Sequence, residues 1–72
     1  MPDPTWVDIQ AVLDPQGFGR LIKIEKQYTS GTTNLFYCSG GTGLAGRARY
    51  CSTTKTDDAT TQASAITTQM QA

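Results

Sequence analysis

The chain has 72 residues, with six basic and six acidic side chains, no histidine and a net charge of zero. One small domain is the most that this length allows, and a domain of roughly 60 residues buries only about 60% of its unfolded surface. Without histidine, two cysteines leave too few soft ligands for zinc and no partner base for a nucleophilic thiol. We therefore predict that the protein is not an enzyme and carries no cofactor or metal.

The first segment, TWVDIQAVLD at residues 5–14, fits two kinds of secondary structure. Apolar side chains occupy every second position, namely Val7, Ile9, Ala11 and Leu13. This alternation and the β-branched residues favour a strand. The alternative is a helix with Asp3 as its N-cap and Pro4 as its first helical residue.

Three further segments have the composition of strands and are separated by short turns: residues 20–30, 35–39 and 48–53. In the first of them Ile22, Ile24 and Tyr28 would share one face, with Lys26 on the same side. Short connections of this kind indicate antiparallel pairing. We predict a mainly-β fold, a small antiparallel meander of three to four strands with a short C-terminal helical or extended tail.

GTGLAG at residues 41–46 has the Gly-x-Gly-x-x-Gly spacing of dinucleotide-binding loops. That fingerprint requires a helix after the loop, whereas RARYCST is typical of a strand. The stretch also approaches a P-loop, but Arg47 and Ala48 stand where lysine and a hydroxyl residue would contact phosphate and magnesium. We interpret it as a glycine-rich hairpin loop that binds no nucleotide.

Cys38 and Cys51 flank this loop. Antiparallel pairing about Leu44 and Ala45 would set the two cysteines opposite each other, within disulfide range. A disulfide is therefore possible, and two free thiols in a reducing compartment are the alternative.

The last segment, residues 56–72, is rich in Thr, Gln and Ala and has only Ile66 and Met70 as large apolar residues. A helix capped by Asp58 would place Ala59, Ala63, Ile66 and Met70 on one stripe. So little apolar area does not offset the cost of ordering the backbone. We predict two units, a β domain at residues 1–55 and a docking tail at residues 56–72 whose Ile66 and Met70 contact a partner.

Charged residues are sorted along the chain: three acids lie in the first sixteen residues, bases fill the middle, and Asp57 and Asp58 close that region with no charge after them. Lys23, Lys26, Arg47 and Arg49 could form a partner surface together with nearby aromatic residues, as in small sheets that bind single-stranded nucleic acid. A pI of about 6.0 argues against an overall basic footprint, so nucleic acid is the less favoured partner.

In size and composition the chain resembles small accessory proteins of bacteriophage particles, such as decoration, head–tail or tail components. The resemblance implies a non-enzymatic subunit that docks on protein neighbours or on copies of itself through its tail and edge strands. Two alternatives are a nucleic-acid-binding sheet and a small inhibitor or adaptor of one host protein. With neither a signal peptide nor a membrane-spanning stretch, we expect a soluble protein, virion-associated or cytoplasmic.

Overall fold

The computed structural model describes residues 2–16, 22–40 and 47–72. Its elements are α1 (Trp6–Gln16), β1 (Lys23–Ser30), β2 (Thr33–Ser39), β3 (Ala48–Thr54) and α2 (Ala59–Gln71). The strands form an antiparallel sheet in the order β1-β2-β3, and both helices pack on the same face of it. The antiparallel sheet is confirmed, whereas mainly-β is a coarse description because helices and strands contribute similar lengths.

The first segment is helix α1, so the preference for a strand is wrong. Thr5, and not Asp3, caps the helix: its backbone N–H donates to Asp8 Oδ2 at 2.7 Å, and the Asp8 N–H donates to Thr5 Oγ1 at 3.4 Å. This reciprocal pair is a capping box with aspartate in the glutamate position. Ile9 and Leu13, four residues apart, are the side chains that α1 buries.

A bulge in β1 changes which side chains face the helices. The pairing with β2 shifts between Ile24 and Lys26, so that Glu25 is the extra residue. An extra residue reverses the alternation beyond it. Consequently Ile24 faces the helices, whereas Lys26 and Tyr28 lie on the opposite side of the sheet, and Tyr28 does not share the face of Ile24 as predicted.

β1 and β2 are joined by a two-residue turn, Gly31-Thr32, between the paired residues Ser30 and Thr33. Gly31 has a φ of 57°. A positive φ at the first central position of a hairpin turn is the conformation that favours glycine. The turn therefore fixes the β1–β2 register at this end.

β2 and β3 pair from Thr33 opposite Thr54 to Ser39 opposite Ala48. One further hydrogen bond, from the Gly40 N–H to the Arg47 carbonyl at 2.8 Å, closes this end of the ladder. The interpretation of GTGLAG as a hairpin loop concerns residues 41–46, which lie outside the described residues.

The C-terminal segment is helix α2, with Asp58 as its N-cap. Asp58 Oδ1 accepts from the Thr61 N–H at 2.7 Å. Among the described residues, the core consists of ten buried side chains from both helices, the three strands and the residue before β1: Ile9, Leu13, Ile22, Ile24, Phe36, Cys38, Cys51, Ala63, Ile66 and Met70. α2 thus completes the core that the sheet and α1 begin.

Candidate binding surface

The sheet has an open side opposite the two helices, which we call the outer face. Its central side chains come from all three strands: Lys26 and Tyr28 on β1, Leu35 and Tyr37 on β2, and Tyr50 on β3. Tyr50 is 55% exposed, Tyr28 45% and Leu35 37%, so neither described helix covers this surface. Large apolar side chains that cluster in water are characteristic of contact sites.

The three tyrosines form one cluster across the sheet. Tyr50 lies directly opposite Tyr37 in the β2–β3 ladder, and their ring centroids are 5.0 Å apart. The Tyr28 ring is 6.4 Å from the Tyr50 ring, and both pairs are tilted by about 55°. These distances and tilts fall in the favourable range for aromatic pairs. The rings therefore stabilise each other and present a preformed surface.

Charges on β1 border this cluster. Lys26 Nζ lies 5.3 Å from the centroid of the Tyr28 ring, within the range of a cation–π contact. At the outer face Ser39 Oγ donates to Glu25 Oε1 at 3.3 Å, and Lys23 pairs in register with Ser39. The border of the outer face thus carries both signs of charge.

Arg47 and Arg49, predicted to belong to a partner surface, instead contact the C-terminal end of α2. Arg47 Nη1 donates to the carbonyls of Met70 at 2.9 Å and Ala72 at 3.0 Å. Arg49 Nη1 donates to the carbonyl of Gln69 at 3.1 Å. Because the last carbonyls of a helix lack intrahelical donors and carry partial negative charge, these guanidinium groups cap α2. The basic set therefore divides, with Lys23 and Lys26 beside the outer face and the two arginines holding the helix.

Ile66 and Met70, predicted to contact a partner, are fully buried inside the chain itself. They pack against the sheet and α1, so the apolar stripe of α2 already has its contact. The tail has too little apolar area to become ordered by itself in water, and β3 and α1 supply the surface that α2 covers. These two side chains consequently offer nothing to a docking partner in this fold.

The edge of β3 that faces away from β2 is covered at Ser52. The Gln69 side chain accepts from the Ser52 N–H at 3.0 Å and donates to the Ser52 carbonyl at 2.8 Å. An edge strand offers unpaired backbone groups to another chain unless something covers them. At Ser52 the amide of Gln69 provides that cover, so this part of the β3 edge is not open to another strand.

Cys38 and Cys51 are free thiols on the helix-covered face. The register sets Cys51 opposite Phe36 and Cys38 opposite Arg49, so the predicted pairing of the two cysteines is wrong by two residues. They are diagonal neighbours, close enough to affect each other's pKa. Burial raises the pKa of the Cys38 thiol to about 12 and raises that of Cys51 as well. Raised pKa values make both thiols poor nucleophiles.

Acidic residues gather at the end of the molecule where both helices begin. Asp3, Asp8, Asp57 and Asp58 line a cleft of about 460 Å³. A hydrogen bond from the Thr5 backbone lowers the pKa of Asp8, and one from the Thr61 backbone lowers that of Asp58. Carboxylates near helix N-termini are stabilised by the helix dipole. The sorting of charge along the sequence therefore places acids at the helix starts and two arginines at the end of α2.

A search of known protein families, curated proteins and solved structures found no match to this chain. Neither described helix is long and apolar enough to cross a bilayer. Among residues 2–16, 22–40 and 47–72, no three side chains of metal-binding type converge on a possible metal position.

Proposed function

We propose that this protein is a non-enzymatic structural or assembly protein, a small subunit of a larger repeated assembly such as a bacteriophage particle. Its contact surface is the outer face. The observation that carries the proposal is the cluster of three tyrosines and Leu35 on the side of the sheet opposite the buried core. Tyrosine is enriched at protein interfaces, where its ring supplies apolar area and its hydroxyl supplies a hydrogen bond.

The buried core supports this assignment because the exposed aromatic residues of the outer face do not belong to it. Among the described residues, Phe36 is the aromatic side chain of the core and is fully buried, and no buried side-chain polar atom lacks a hydrogen-bond partner. Polar side chains could occupy the outer face without exposing the core. Aromatic residues on such a surface therefore favour contact with another molecule.

Binding of single-stranded nucleic acid is the second candidate function. The three tyrosines and Lys26 favour it, because aromatic rings stack on bases and lysine contacts phosphate. The predicted basic set is reduced, however, because Arg47 and Arg49 bind the carbonyls of α2. An inhibitor or adaptor of one host protein would use the same outer face.

Site-specific photo-crosslinking in the cells of origin tests the proposal. A photoreactive phenylalanine analogue replaces Tyr50 on the outer face, and a matched variant carries it at Ser64, an exposed position of α2. We expect a crosslinked protein adduct from position 50 and none from position 64.

Two other outcomes would contradict the assignment. Equal adducts from both positions, or adducts from position 64 only, would place the contact surface elsewhere. An adduct at position 50 that nuclease digestion removes would favour the nucleic-acid function instead.

A further inference from the structure

We propose that the partner of the outer face is a second copy of this chain, with the two sheets stacked face to face. The inference rests on the proposed function, since it names the occupant of the same surface. Two sheets that pack in this way lie about 10 Å apart and interdigitate their side chains. The pair would have four layers, with the helices of each copy on the outside.

Charge favours a copy as the occupant. The chain has no net charge, so two copies do not repel each other at long range. The strand β1 carries Glu25 between Lys23 and Lys26, so the outer face has only a small excess of positive charge and two copies can meet there without strong repulsion. A self-complementary surface is what a two-fold contact requires.

The register of the sheet shows how the two copies can match. Lys26, Tyr37 and Tyr50 are paired neighbours in one row across the three strands, and Phe36 belongs to the next row. Tyr28 belongs to the row after that, on the other side of Phe36. One possible two-fold axis lies in the plane between the two sheets and crosses the strands at right angles at Phe36. This axis brings Lys26 of one copy over Tyr28 of the other. An axis along β2 brings Lys26 over Tyr50 of the other copy. Either arrangement sets a lysine on a tyrosine ring, a favourable cation–π contact, and no lysine on a lysine.

Size sets the strength of the contact. Three strands about 4.8 Å apart and about seven residues long make a face of roughly 350 Å² before side-chain relief is counted. A standard stable interface buries about 800 Å² on each partner. We therefore expect a weak, reversible dimer of chains that are already folded, rather than an obligate dimer.

Nucleic acid fits the outer face less well. A strand-binding groove follows its ligand with positive charge, whereas here Glu25 lies between the two lysines along β1. Arg47 and Arg49 are engaged by α2. The remaining positive charge is too small for the phosphate contacts that dominate such binding.

Sedimentation velocity of the purified full chain under reducing conditions tests the pairing. We expect the sedimentation coefficient to rise between about 10 μM and about 1 mM, the range in which so small a contact dissociates. The double variant Leu35→Thr/Tyr50→Thr keeps β-forming residues and should weaken dimerisation at least about tenfold. Val7→Thr is the matched control, because Val7 is 60% exposed on α1 and outside the sheet. This variant should dimerise like the wild type.

A labelled ten-residue oligothymidylate, followed by fluorescence anisotropy, forms the second arm. We expect no saturable binding. Saturable binding that Leu35→Thr/Tyr50→Thr abolishes would overturn the pairing and assign the outer face to nucleic acid.

The pairing also fails if the wild type stays monomeric throughout the range, or if the double variant and Val7→Thr dimerise equally well. Photo-crosslinking separates that failure from failure of the proposed function. A monomeric protein that still crosslinks another protein from position 50 retains the function and loses only the self-pairing. A monomeric protein without that adduct loses both.

Discussion

The two faces of the sheet are built from alternate residues of the same strands but differ in what their side chains contact. On the inner face Phe36, Cys38 and Cys51 are fully buried under the helices. On the outer face Tyr28 and Tyr50 are about half exposed. Adjacent positions therefore serve different purposes: the inner face stabilises the fold, and the outer face is available for contact. Substitutions at adjacent residues of one strand should separate the two.

The largest difference should appear at Phe36. Phe36→Ala removes a fully buried ring and should lower the free energy of unfolding by about 3–5 kcal/mol. Its neighbour Leu35 on the outer face is the control, and Leu35→Ala should cost less than about 1 kcal/mol in the monomer. Urea unfolding followed by circular dichroism measures both. Equal losses would mean that the outer face stabilises the monomer as much as the core does.

A smaller loss is expected from the polar part of the inner face. Gln62 Oε1 accepts from Asn34 Nδ2 at 2.8 Å and from Thr53 Oγ1 at 2.7 Å, and Gln62 Nε2 donates to the Asp57 carbonyl at 2.8 Å. Gln62→Met removes the hydrogen-bond partner of the Asn34 amide, the Thr53 hydroxyl and the Asp57 carbonyl. Each polar group that stays buried without a partner costs about 1–3 kcal/mol. Relaxation of the network should keep the total near 2 kcal/mol. Gln71→Met, at an exposed position of α2, should leave urea unfolding unchanged.

The arginines at the end of α2 should contribute less again. Arg47→Ala removes two hydrogen bonds to terminal carbonyls and should lower the free energy of unfolding by about 0.3–1 kcal/mol. Lys23 does not contact the carbonyls at the end of α2, so Lys23→Ala should leave the free energy of unfolding unchanged. Thermal unfolding at low and high salt measures both. An Arg47→Ala variant as stable as the wild type at low salt would show that the cap contributes nothing.

The smallest effect concerns the N-cap of α2 and its dependence on pH. The hydrogen bond from the Thr61 backbone holds the pKa of Asp58 below its ordinary value of 3.8. A carboxylate whose pKa is lowered by folding stabilises the native state above its unfolded pKa, and that contribution disappears as pH falls through the folded pKa. Stability should therefore decrease below about pH 4. The Asp58→Asn variant keeps a hydrogen-bond acceptor for the Thr61 N–H but does not titrate, so its stability should vary less with pH than that of the wild type. If the two proteins show the same dependence of stability on pH, Asp58 does not contribute in this way.

The sequence predicted the sheet and the alternative helix of the tail better than it predicted α1. Val7 and Ala11 continue an alternation that also suits a strand, yet α1 exposes both and buries Ile9 and Leu13. The available signal was the Thr5-x-x-Asp8 capping box, which distinguishes the two interpretations. Asp58 and its apolar stripe were recognisable because a cap and a helical period coincide there.

Other features depended on tertiary contacts that a sequence pattern does not contain. Gln62 is polar and would be expected at the surface from its sequence. It is buried because Asn34 and Thr53, which are distant in sequence, supply its hydrogen bonds in the folded protein. Arg47 and Arg49 donate to carbonyls at the end of α2 that follow them by 20 to 25 residues in the sequence. The bulge at Glu25 moved Tyr28 onto the outer face, so the tyrosine cluster could not be assembled from strict alternation.

Chemical labelling of the two faces in one sample tests the central claim most directly. Tyrosine iodination reports on Tyr28 and Tyr50, iodoacetamide reports on Cys38 and Cys51, and peptide mass mapping measures both. In dilute, monomeric protein we expect rapid iodination of the tyrosines and no alkylation of the thiols. At the concentration of the assembled state, tyrosine labelling should slow while the thiols stay protected. Tyrosines already protected in the dilute monomer, or equally reactive in the assembled state, would contradict the division between a stabilising inner face and a binding outer face.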